Sequence, residues 1–265
     1  MTDSLDLPTP PADVVTDDHR LSAWAATLAG ERLERMREEG LEGKELKDAG
    51  DALGHRILMQ VLTTYRPDDA ILSEEGKDDK GRLQNRRVWI VDPLDGTREY
   101  SEPPRDDWAV HVALWADGDL VAGAVAQPGM STTFNTAEPP VVPERATTRP
   151  RIAVSRTRPP EFVAALAEQI DAELVPMGSA GAKVISVARD VTDAYVHAGG
   201  QYEWDSAAPV VVARAAGLHT SRADGAPLLY NQDDVLLPDL LVCRPELADA
   251  ITSFVRDYWA EHGRA

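Results

Sequence analysis

The sequence predicts an α/β chain built in α+β layers rather than as a barrel, and three patterns carry that expectation. Helix-period apolar stripes fill much of residues 16 to 65, a strong hairpin signal stands near residue 117, and helix and strand patterns alternate through the second half. Thr16-Asp17-Asp18 is a capping signal for a helix to roughly Met36, with Leu21, Trp24, Ala25, Leu28 and Leu33 on one face. Asp51 to Tyr65 repeats the pattern through Leu53, Ile57, Leu58, Val61 and Leu62. The run Val88 to Val91 is a short interior strand, which Pro93 is expected to end at Asp92 by fixing its own φ and extending the residue before it. Strands at Ala109 to Trp115 and Leu120 to Gln127 flank the turn Ala116-Asp117-Gly118-Asp119. Arg151 to Ser155 is read as a strand, Pro160 to Ile170 as a helix, and Ala194 to His197 and Leu240 to Cys243 as further strands.

Proline-bearing, aperiodic sequence between Thr136 and Pro150 marks a boundary. The expected organisation is a flexible leader over 1–15, an N-terminal α+β subdomain over 16–147 and a C-terminal α/β subdomain over 148–265. The 265 residues are 43% hydrophobic, enough for a substantial core. A net charge of −18 excludes a nucleic-acid backbone and an anionic membrane surface as partners, since both need clustered lysine and arginine. One cysteine, Cys243, allows no internal disulfide and fits a reducing cytoplasm. Met1 to Asp18 has no apolar run, so neither a signal peptide nor a membrane span is expected there. Composition leaves monomer and homodimer equally open.

Chemistry concentrates in three acidic elements. In Trp89-Ile90-Val91-Asp92-Pro93-Leu94-Asp95-Gly96-Thr97, two aspartates converge at a strand's end beside the backbone N–H groups of Gly96 and Thr97. Carboxylates hold hard cations and free N–H groups hold phosphate oxygens. Upstream, Ile71-Leu72-Ser73-Glu74-Glu75 ends an apolar run in two carboxylates that point in different directions, so one of them serves a site. Downstream, Glu203-Trp204-Asp205-Ser206 opens a helix, with Asp205 as its N-cap. The six histidines show no ligand spacing, which favours Mg²⁺ over Zn²⁺.

Taken in this order, the three elements resemble the inositol monophosphatase superfamily of magnesium-dependent, lithium-sensitive phosphatases, from about Asp51 to Leu241. Gly96-Thr97-Arg98-Glu99-Tyr100, Gly178-Ser179-Ala180-Gly181-Ala182-Lys183 and Gly225 to Tyr230 are similar to its 3'(2'),5'-bisphosphate nucleotidase branch. The resemblance implies that superfamily's sugar-phosphatase fold of alternating helix and sheet layers. It implies hydrolysis of the 3'-phosphate of 3'-phosphoadenosine 5'-phosphate to AMP, in sulfate assimilation or nucleotide recycling. The alternative is inositol monophosphatase or fructose-1,6-bisphosphatase activity at the same site.

Residue by residue, the resemblance gives Glu74, Asp92 and the Leu94 carbonyl to one Mg²⁺, and Asp92, Asp95 and Asp205 to a second. Glu74 would support a third ion and orient the attacking water. Gly96 and Thr97 would grip the scissile phosphate, with the Thr97 hydroxyl partnered by an upstream acid. Asp51 matches that acid, although Asp48 stands where the family carries threonine and remains a competitor. Lys183, Arg98 and Arg105 are the cations expected near a second phosphate. Ser179 is placed at the sugar or base or, with Gly178, at an ordinary helix start. Tyr202 is placed near a base, Trp204 in the core ahead of a base contact, and Asp106 and Asp107 in a loop that orders water or metal.

Overall fold

The computed structural model describes residues 5–145, 148–157 and 159–264. Its helices are α1 (Ala12–Val15), α2 (Asp18–Arg37), α3 (Gly43–Tyr65), α4 (Thr97–Tyr100), α5 (Glu161–Gln169), α6 (Ala180–Ala188), α7 (Glu203–Ala215) and α8 (Ala248–His262). Its strands are β1 (Ala70–Ser73), β2 (Arg87–Asp95), β3 (Ala109–Ala116), β4 (Asp119–Gln127), β5 (Thr132–Asn135), β6 (Arg151–Ser155), β7 (Glu173–Met177), β8 (Ala194–Tyr202), β9 (His219–Ser221) and β10 (Leu236–Cys243). The strands form two five-stranded sheets, ordered β1-β2-β3-β4-β5 and β7-β6-β8-β10-β9.

Five layers result. Helices α2 and α3 cover one face of the first sheet through Leu21, Leu33, Ile57 and Leu62. Helices α6 and α7 fill the space between the sheets through Val184, Val187, Val210 and Val212. The outer face of the second sheet is closed by α5 and α8 through Phe162, Leu166 and Ile251. Strand β2 shows why its run is continuously apolar. Trp89 and Val91 pack toward α2 and α3, while Val88 and Ile90 pack toward α7, so both faces are buried. No helix among the described residues is long and apolar enough to cross a membrane.

Three sequence expectations need correction. First, β2 does not end at Asp92 but continues past Pro93 to Asp95. Asp92 pairs with His111 and Asp95 with Ala109, so two β2 residues oppose one on β3. Such a bulge accommodates a proline that cannot donate to the ladder. Second, α3 begins at Gly43, eight residues ahead of the expected start. Gly50 and Gly54 interrupt the helical pattern in sequence because the helix is pressed there against Leu94, Tyr100 and Pro93, leaving no room for a side chain. Third, residues 5–15 are not a loose leader. The Leu5 N–H and carbonyl both bond the Gln60 side chain, and Leu5, Leu7 and Val14 pack on the first core. Residues 1–4 of that leader lie outside the described residues, as does Thr147 at the expected 147/148 boundary.

Candidate active site

The β2 bulge decides the geometry of the acidic motif. In a regular strand, residues three apart face opposite sides of the sheet. One extra residue between Asp92 and Asp95 restores them to the same side, the side on which Val88 and Ile90 meet α7. Asp205 comes up from α7 to meet them, and ligand atoms of Asp92, Asp95 and Asp205 lie within 4.8 Å of one another. Asp205 is not the N-cap; it stands at the third position of α7, where its Oδ2 accepts the Tyr202 N–H at 2.6 Å.

Alternation at the exit of β1 separates the two glutamates. Leu72 packs toward α7, and two residues later Glu74 enters the cleft beside Asp92 and Asp205. Glu75 turns toward Asp51 and His55 on α3. Gly96 follows the bulge with φ 84°, and a Cβ there would stand 2.9 Å from the Ser179 Cβ. Only glycine fits this left-handed turn at so close an approach. The turn launches α4 and leaves Thr97 and Arg98 on the wall of a 340 Å³ cavity, with Glu74, Asp92, Leu94, Asp95, Gly96, Ser179, Lys183 and Asp205 also in its lining.

The charge state of this cavity follows from unequal support. Burial pushes the Asp92 carboxyl well above its ordinary value, and Glu74, Asp95 and Asp205 add to the shift. Desolvation, with a smaller contribution from neighbouring carboxylates, raises Asp205 to about 6 and Glu74 to about 7. Asp95 behaves oppositely. Burial raises it too, but His111, the Ser179 hydroxyl and the Gly181 N–H overcome that and hold it at about 2. Its oxygens accept from Ser179 Oγ at 2.5 Å, Ala180 N at 3.1 Å and Gly181 N at 2.6 Å, with His111 Nε2 at 3.2 Å. The fully buried His111 also bonds the Trp204 carbonyl through Nδ1 at 3.1 Å. Four carboxyls thus share one pocket with too little cationic compensation. An all-oxygen donor set of this kind fits a hard divalent cation, which would reverse the local sign.

Several expected side chains have other duties. Lys183 lines the cavity, yet its Nζ donates to the carbonyls of Gly178 and Ser179, at 2.7 Å for Ser179, and lies over the Tyr195 ring. It holds a turn rather than pointing outward. Ser179 caps α6 through the Ala182 N–H at 2.9 Å while bonding Asp95, so its oxygen is engaged by the protein itself. Arg105 pairs with Asp107 and borders a neighbouring cavity. Asp107 accepts the Gly178 N–H at 2.6 Å, while Asp106 packs on Gly129. Trp204 packs on the inter-sheet core and stacks on Tyr202 at 4.9 Å, away from the cavity lining. Asp48 is exposed and paired with Lys44. Asp51, one turn on, is raised to about 6 by burial, Glu75 and Asp48, and sits where α3 packs on Leu94 and Tyr100 of the motif.

Two residues escaped the sequence reading. His111 lies in an apolar strand, and its only local signal was a polar residue among Val110, Val112 and Ala113. Arg156, at the exit of β6, lines the cavity with Ser155 and Thr157. Nothing in its local sequence ties it to Glu99, which it meets across the cleft.

Known proteins resemble the chain over most of its length. The chain is 47% identical over 256 residues to the 3'-phosphoadenosine 5'-phosphate phosphatase of Mycobacterium leprae, covering 91% of this chain and 94% of that protein. It is 34% identical over 204 residues to the 3'(2'),5'-bisphosphate nucleotidase CysQ of Escherichia coli K12, covering 71% and 81% of the two chains. The crystal structure of CysQ from Bacteroides thetaiotaomicron superposes with a TM-score of 0.75 at 26% identity, covering 84% of this chain and 96% of that one. Residues 20–260 match the inositol monophosphatase family. With the layered fold, the bulged aspartate motif and this match, the chain belongs to the inositol monophosphatase family.

Proposed function

We propose that this phosphatase removes the 3'-phosphate of 3'-phosphoadenosine 5'-phosphate, releasing phosphate and AMP. The observation that carries the reading is the convergence of Asp92, Asp95 and Asp205 within 4.8 Å at a cavity that Thr97 and two arginines also line. The nucleotide assignment draws on likeness to the mycobacterial phosphatase. In this reading Mg²⁺, as two or three ions, is held by Asp92, Asp95 and Asp205 together with Glu74 and the Leu94 carbonyl. Bound magnesium supplies charge stabilisation for displacement at phosphorus.

The chain's own residues then do the positioning. The Asp95 carboxylate is kept ionised by Ser179, Gly181 and His111, so one ligand is ready near neutral pH without reorganisation. Thr97 and Gly96 receive the scissile phosphate, and Glu74 orients the attacking water. Asp51 supports the segment that carries Thr97 from the α3 side. Phosphate monoesters hydrolyse so slowly unaided that positioning and charge supply most of the acceleration.

Metals treat all phosphate esters alike, so substrate choice rests on remote contacts that strengthen in the transition state. The test is a panel of 3'-phosphoadenosine 5'-phosphate, inositol 1-phosphate and fructose 1,6-bisphosphate at saturating Mg²⁺. The nucleotide is expected to lead in kcat/KM by on the order of 10²-fold. Equal efficiencies would leave a broad magnesium phosphatase, and an inositol phosphate lead would favour the alternative activity.

A further inference from the structure

Arg156 stands at the end of β6, on the second sheet, and reaches across the cleft to the first half of the chain. Its Nη2 donates to Glu99 Oε1 at 2.7 Å and to Glu102 Oε2 at 3.2 Å. Glu99 is buried beneath it, and the packing there is close. A Cβ on Gly178 would lie 2.3 Å from the Glu99 Cγ. The glutamate is therefore wedged against the Gly178 turn and holds the guanidinium at a set place on the cavity wall. Both recorded bonds use a single nitrogen of a planar fork that carries five N–H donors. The side chain keeps 31% of its surface open.

The other cations sort themselves. Lys183 is committed to backbone carbonyls, and Arg105 belongs to the neighbouring cavity. Among the described residues this leaves Arg98 and Arg156 on the wall. Arg98 is exposed on α4 directly after Thr97, beside the place assigned to the scissile phosphate. Arg156 comes from the opposite sheet. A second anionic group entering between Glu99, Glu102 and the acidic floor would be repelled unless a cation met it, and a guanidinium fork matches a phosphate bidentately.

We propose that Arg156 is the specificity residue that receives the second phosphate of a bisphosphate nucleotide, with Glu99 and Glu102 holding its guanidinium in place. A substrate with one phosphate leaves the Arg156–glutamate pair undisturbed and gains nothing from it. The inference rests on the bisphosphate reading above but is judged on a different ratio.

The experiment compares 3'-phosphoadenosine 5'-phosphate with 3'-AMP, which lacks only the 5'-phosphate, in wild type, Arg156→Ala and Arg156→Lys. Arg156→Ala is expected to lower kcat/KM for the bisphosphate roughly ten- to a hundredfold, and for 3'-AMP by less than about threefold. Arg156→Lys keeps the charge and the glutamate pairing but loses the fork, and should fall between wild type and alanine on the bisphosphate alone. It also keeps the test alive should the alanine variant fold poorly. Equal losses on both substrates, or a wild-type enzyme indifferent to the 5'-phosphate, would overturn the assignment. Failure of the nucleotide reading itself shows separately, as a lead for inositol 1-phosphate in the wild-type panel.

Discussion

Replacing Ser179 with alanine removes one oxygen that serves two partners. It donates to Asp95 Oδ2 at 2.5 Å and accepts the Ala182 N–H at 2.9 Å where α6 begins. A hydrogen bond to a buried charged acceptor is worth about 1.5–3 kcal/mol, and a serine N-cap about 1 kcal/mol. Asp95 keeps the Ala180 and Gly181 N–H groups, so the combined cost is set near the low end, about 2–3 kcal/mol. In a chain of this size that lowers Tm by roughly 5–10 °C. The loss should be full above the ordinary aspartate range and shrink as pH falls toward about 2, where the depressed Asp95 carboxyl takes up its proton in the folded protein as well. Kinetically, a misheld Asp95 lowers kcat for every phosphate ester in similar proportion. A contact between Ser179 and the sugar would do the reverse, raising KM for the nucleotide and sparing inositol 1-phosphate. Melts in chelator, with kcat and KM on both substrates, separate the two. An unchanged Tm with a KM defect confined to the nucleotide would refute the positioning argument.

Asp92→Asn should abolish nearly all turnover while leaving chelated protein as stable as wild type or more so, because it removes a buried carboxyl whose ionisation burial and its acidic neighbours oppose. More than about a tenth of the activity surviving, under ~1.4 kcal/mol of barrier, would count against a central metal role. The pH dependence of stability without metal is the third expectation. Glu74 at about 7, and Asp205 and Asp51 at about 6, all sit above their unfolded values, so the folded state binds the extra protons between roughly pH 4 and 7. Urea midpoints in chelator should therefore fall as pH rises through that window, and Mg²⁺ should flatten the decline because its ligands are deprotonated. A midpoint that climbs with pH in chelator would contradict the like-charge account.

What the sequence made legible was local. Asp92, Asp95, Gly96 and Thr97 lie in six consecutive positions, so their shared turn could be read directly, and the Asp117-Gly118 hairpin was equally self-contained. The bulge was not legible, because Pro93 signals an end or an irregularity with the same residue, and only the β3 pairing distinguishes them. Lys183 and Ser179 stood in the right motif, but the carbonyls that hold Lys183 and the distant Asp95 carboxylate that meets Ser179 come together only in the fold. His111 and Arg156 act across 16 and 57 residues, toward Asp95 and Glu99 respectively, and no periodicity encodes such distances. The layer order was partly visible in the apolar stripes. That α7, from the second half, packs on the first sheet was not.

That placement of α7 gives the site a thermodynamic role. Asp92 and Asp95 belong to the first sheet, whereas Asp205 rides on a helix that follows strands of the second. A ligand bridging all three adds its binding energy only to states in which the middle layer is seated against both sheets. Partly opened forms, with α7 lifted from β2, forfeit that energy entirely and become rarer as ligand concentration rises. Occupancy would thereby couple the two sheets, sharpening unfolding toward a single transition and suppressing local opening along the α7–β2 seam.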